Sequence, residues 1–94
     1  MTIDDFIAMT KRIIAKDGFS GYLPTLVVPA SSKVKVLEGI PDNVDIETAS
    51  RKWAYNNVEP AEDFFLAFKS DASHFKVVVR SKGKIEERVV AVSV

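Results

Sequence analysis

Cysteine is absent from this chain. That excludes disulfide staples and thiolate metal sites, and it suits a cytoplasmic location. Histidine occurs once, as His74, and tryptophan once, as Trp53. Neither charge is in excess: 13 Lys and Arg residues balance 13 Asp and Glu residues. A neutral chain has no overall electrostatic drive toward DNA, RNA or anionic lipid. No apolar run approaches the roughly 18–20 residues of a membrane span, so no membrane partner is expected. The opening "MTIDDFIAM" places acids where a signal peptide needs bases, so no export signal is expected. There is no GxxxxGK[ST] phosphate loop, no internal repeat, no low-complexity tract and no linker.

What remains is a chain of 94 residues, the length of one domain spanning 1–94. Folding at this size buries about 60–65% of the unfolded surface, which leaves a thin core. Apolar residues are 47% and charged residues 28% of the chain, which places it among soluble globular domains rather than disordered or fibrous ones.

Periodicity predicts the elements. Thr2 with Asp5 forms a capping box, and Ile3, Phe6, Ile7, Ile13 and Ile14 recur at helical spacing up to the stop at Gly18. "TLVVP" (25–29) reads as a short strand whose flanking prolines suggest an edge or strand ends. "KVKVL" (33–37) alternates strictly and should be half-buried through Val34 and Val36. Asp45 caps a second helix running to about Asn57, with Ile46, Ala49 and Trp53 on its apolar side and Pro60 as its stop. Three strands in a meander complete the chain, and "VSV" at its close reads as strand rather than as a PDZ-type ligand. The predicted class is α+β, in the order α-β-β-α-β-β-β, with both helices on one face of a largely antiparallel sheet.

Register then assigns faces to the meander. A four-residue loop "SDAS" (70–73) pairs Phe68 with Phe75, Leu66 with Val77 and Phe64 with Val79, collecting six apolar residues on one face. A three-residue loop "SKG" (81–83), with Gly83 left-handed, then sets Val79 opposite Ile85 and Phe75 opposite Val89. A two-residue "KG" turn would aim Glu86 and Arg88 at the core, a costlier arrangement. The outer face in this register carries Phe65, Ala67, Lys76, Val78 and Arg88, with Lys69, His74, Val90 and Val92 around them. Solvated lysine and arginine stems are the plain explanation of such a row. An apolar patch rimmed by cations is also a partner surface.

Candidate chemistry is thin. Ser70, Asp71, Ser73 and His74 cluster in one turn, where Ser and Asp serve turn geometry without any nucleophilic role. Glu59, Glu62 and Asp63 surround a helix end, but their spacing matches no calcium or magnesium loop. "GFSG" (18–21) has the GxxG pattern with which KH modules clamp a nucleic-acid backbone. Here it runs into "YLP", which does not start the required second helix, so a helix cap followed by a turn is the better reading. Residues 38–63 hold seven acids against Arg51 and Lys52, while residues 64–84 hold Lys69, Lys76, Arg80, Lys82 and Lys84 against Asp71. Opposite patches suit self-association or a matched protein partner.

The sequence therefore points to a small non-enzymatic interaction domain without cofactor or metal. Its expected partner is another protein or a second copy in a homodimer. Nucleic-acid binding through the same basic face is the alternative. An enzyme or small-ligand carrier with a pocket between helix and sheet is the weakest class.

Overall fold

The computed structural model describes residues 1–92. Helix α1 spans Ile3–Asp17 and opens with the predicted capping box: the Asp5 N–H donates to Thr2 Oγ1 and the Thr2 N–H to Asp5 Oδ2, each at 3.1 Å. Gly18, at φ 90°, ends it by donating its N–H to the Ile14 carbonyl. Strand β1 (Thr25–Val28) leads through a 3₁₀ turn (Pro29–Ser31) into β2 (Lys33–Val36). Helix α2 (Ile46–Asn56) starts at Asp45, whose carboxylate accepts from the Thr48 N–H at 2.9 Å. The meander is β3 (Phe64–Asp71), β4 (His74–Ser81) and β5 (Lys84–Ala91). The predicted order and class hold. Ser93 and Val94, the end of the predicted final strand, lie outside the described residues.

The sheet has five strands in the order β2-β1-β3-β4-β5, with every neighbouring pair antiparallel. β1 is interior, and its prolines stand just beyond its ends. The edges are β2 and β5.

The two helices lie on opposite faces of the sheet, which corrects the one-face expectation. Phe6 and Ile14 of α1 pack on Val27, Phe65, Ala67, Phe75, Val77 and Val79. Ala54 of α2 and the following Val58 pack on Leu26, Val28, Phe64, Leu66, Phe68 and Val78. The cause lies in β3, where Phe64 to Phe68 are apolar at every position. A strand with two apolar rows needs cover on both.

The β3–β4 register also differs from the prediction. Phe64 pairs with Arg80, Leu66 with Val78 and Phe68 with Lys76, and the register shifts between Lys69 and Asp71. The shift sets Asp71 opposite His74, so only Ala72 and Ser73 turn the chain. Asp71 Oδ1 accepts from the Ser73 N–H at 2.8 Å, which closes this turn. A one-residue slip is penalised only where one face is wet. Here both faces are dry, so the apolar pattern alone did not select the register.

The last hairpin takes the two-residue turn. Lys82 and Gly83 have φ of 52° and 78°, both in the left-handed region that a type I′ turn requires. Val79 consequently faces Glu86, and Val77 faces Arg88. The expected penalty does not arise, because both charges are exposed and Arg88 pairs with Asp4 of α1 and with Glu86. At the other edge, Val34 and Val36 are exposed rather than half-buried. They lie on the α1 side, opposite Val27 and Thr25, outside the buried cluster that α1 covers. Lys33 and Lys35 of β2 turn to the other face and donate to the carbonyl and side-chain oxygens of Asn57.

Candidate interaction edge

The surface predicted from sequence is not assembled. Phe65 is 5% exposed, Ala67 0% and Val78 1%, so all three belong to the core. Phe65 and Ala67 share the α1 side with Arg88, whereas Val78 and Lys76 face α2. Each observed pairing of β4 differs by one residue from the predicted one, which divides the five residues between the two faces.

The basic row has its answer inside the molecule. Lys76 Nζ lies 3.0 Å from Glu47 of α2 and 3.0 Å from Glu87 of β5. Arg51 contacts the same two carboxylates, closing a ring of four charges that ties α2 across β4 to β5. Hydrogen bonds from Lys76, then from Arg51, hold both carboxyls below their usual range, and Glu87 and Glu47 together raise Lys76. Arg80 donates to the carbonyls of Glu59 and Glu62 and lies 5.0 Å over the Phe64 ring. Lys69 donates to the Ser20 carbonyl and lies 5.0 Å over Phe19. Arg88 pairs with Asp4 and with Glu86, each at 2.9 Å.

The His74 turn lacks the geometry of a nucleophilic relay. Ser73 Oγ and Asp71 Oδ1 both contact the same ring nitrogen, Nδ1, at 3.0 and 2.9 Å. A relay needs the acid on one imidazole nitrogen and the nucleophile on the other. The acids at the end of α2 have separate tasks: Glu62 accepts from the Glu59 N–H, and Asp63 accepts from the Lys82 N–H. Gly18 and Gly21 belong to a helix cap and a turn, in which the Tyr22 N–H donates to the Phe19 carbonyl. Trp53 packs beside the α2 core, and Tyr55 is half-exposed with its ring edge-on to Phe64.

The open structural feature is the β5 edge. Two-residue hairpins bond the residues flanking the turn, here Ser81 and Lys84, and every second pair after them. The Val92 N–H donates to the Ser73 carbonyl at 2.8 Å, which keeps the same parity at the far end. The backbone groups of Lys84, Glu86, Arg88 and Val90 are thereby directed at β4. Those of Ile85, Glu87, Val89 and Ala91 are directed outward, with no further strand beside them among the described residues. On the α2 side of this edge, Ile85 is 46% and Val89 57% exposed, and α2 covers neither.

The β2 edge is blunter. It is four residues long, and two of the four are lysines held on Asn57. Short, lysine-rich edges discourage strand addition. β5 has eight residues and carries both charges and apolar side chains. Its signal in the sequence was the Lys82-Gly83 turn together with the final place of β5 in the meander. Comparison with protein-family models, curated proteins and solved structures gives no significant match.

Proposed function

We propose that this chain is a non-catalytic protein-interaction domain whose working surface is the free edge of β5, where a partner adds an antiparallel strand. The observation that carries this reading is the outward backbone row at Ile85, Glu87, Val89 and Ala91, flanked by exposed Ile85 and Val89. Main-chain bonds at such an edge supply affinity, and side chains on alternate positions supply specificity. The lack of cysteine supports a cytoplasmic setting, and no helix among the described residues is long and apolar enough to cross a membrane. The nucleic-acid alternative is weakened because Lys69, Lys76, Arg80 and Arg88 are engaged within the protein and Phe65 is buried.

The test is selection from a displayed library of extended peptides, followed by amide chemical-shift mapping on the isotope-labelled protein. Selected peptides should perturb Ile85, Glu87, Val89 and Ala91 most, and binding should survive moderate salt. Peptides that map to another surface, or a library that yields none while the β5 edge is free of self-pairing, would remove the reading.

A further inference from the structure

We infer that the strand added at β5 is β5 of a second copy, paired about a two-fold axis through Glu87. This rests on the strand-addition reading and names its occupant. A two-fold axis relating antiparallel strands of one continuous sheet stands perpendicular to that sheet. Each residue must then meet a residue from the same face, so a β5 position pairs only with one of equal parity. With the axis at Glu87, Ile85 meets Val89 of the second copy, and the reverse pair repeats the contact. These are the two large exposed apolar side chains on the α2 side of β5. On the α1 side Glu86 meets Arg88 of the second copy, again twice. Both residues are exposed, and each copy's Arg88 already bonds its own Glu86 and Asp4. The two intrastrand pairs would merge into one alternating charge cluster.

Neighbouring registers lack this match. An axis at Arg88 sets Glu86 opposite Val90 and Glu87 opposite Val89. An axis at Glu86 sets Ile85 opposite Glu87. The axis at Glu87 does bring two like carboxylates together, and each is already held by Lys76 at 3.0 Å and by Arg51 of its own copy. Backbone parity agrees as well, since Ile85, Glu87 and Val89 are the residues whose N–H and C=O groups are directed outward.

The test uses the full chain and its natural lack of cysteine. Sedimentation should show a concentration-dependent dimer. Glu86→Arg alone and Arg88→Glu alone each place like charges opposite one another and should weaken self-association by about tenfold or more. An equimolar mixture of the two variants should restore dimers, because the first then offers two cations to the two anions of the second. Mild oxidation should cross-link Glu87→Cys with itself. Ile85→Cys should not cross-link alone, but should do so when mixed with Val89→Cys. The cross-linking pattern reports the register even if a charge variant fails to fold. A wild-type monomer at all concentrations overturns the inference, as does a dimer that neither charge variant weakens and that Glu87→Cys does not cross-link. A monomer whose β5 amides still bind displayed peptides overturns self-pairing alone. A monomer that binds no peptide removes the strand-addition reading too.

Discussion

Ser50 is fully buried on the inner side of α2, and its hydroxyl has no hydrogen-bond partner among the described residues. A buried polar group left unpaired costs about 1–3 kcal/mol, and serine is a poorer helix former than alanine. Ser50→Ala removes both costs while leaving only a small gap. It should stabilise the fold by about 1 kcal/mol, read as a rise in the urea midpoint at unchanged slope. A loss of stability would mean that the hydroxyl serves an interaction the folded chain needs. The sequence placed Trp53 and Asp45 correctly but gave no sign of Ser50. Its neighbours Ile46, Ala49 and Trp53 defined an apolar side, and the helix is rotated just enough to bring Ser50 and Ala54 inward instead of Ala49. A small polar residue at a helix–sheet contact has no periodic signature, because size rather than hydropathy admits it there.

Local chemistry made the elements legible and left their pairing open. Thr2, Gly18 and Asp45 set the helix ends through bonds within a few residues, which sequence spacing specifies directly. Register depends on which face is wet, and β3 offered two apolar rows in Phe64, Leu66, Phe68 and Phe65, Ala67. The Ser70 irregularity and the choice between turns of Lys82-Gly83 and Ser81-Gly83 each move pairing by one residue, and Lys76 and Val78 of β4 therefore lie on the face opposite to Phe65, Ala67 and Arg88. The alternating backbone of β5 permits a check by stability alone. The Arg88 N–H is directed at the Val77 carbonyl, whereas the Val89 N–H is directed away from the sheet. Arg88→Pro therefore removes a ladder bond and strands a carbonyl, and Val89→Pro removes neither. Arg88→Pro should cost about 2 kcal/mol more in urea unfolding. Equal costs would place β5 one residue from the register described.

Across the whole molecule, carboxylates tie the layers together and set the acid limit of stability. Asp5 and Asp45 are held below the usual carboxylate range by N–H and hydroxyl donors of Thr2 and Thr48, and Asp71 by the Ser73 N–H and then His74. Glu47 and Glu87 are lowered by Lys76 and Arg51. A folded-state value below the unfolded one adds stability above the unfolded value, and this is lost as pH falls through the folded value. The melting temperature should hold level from neutrality to about pH 5 and fall progressively below about pH 4, the ordinary carboxylate range. Glu47→Gln/Glu87→Gln should flatten part of that slope; a plateau in wild type reaching pH 3 would contradict these assignments. The interior place of β1 has a consequence for how the chain reaches this state. β3, β4 and β5 join through two short turns, while β1 pairs Thr25 with Ala67 across nearly half of the chain. Nearby segments close sooner than distant ones, so the C-terminal hairpins assemble first and the α1–β1–β2 portion docks later. Until it docks, the uncharged run Phe64–Phe68 is a bare sheet margin, and chains crowded together at that moment can add to one another there before β1 arrives.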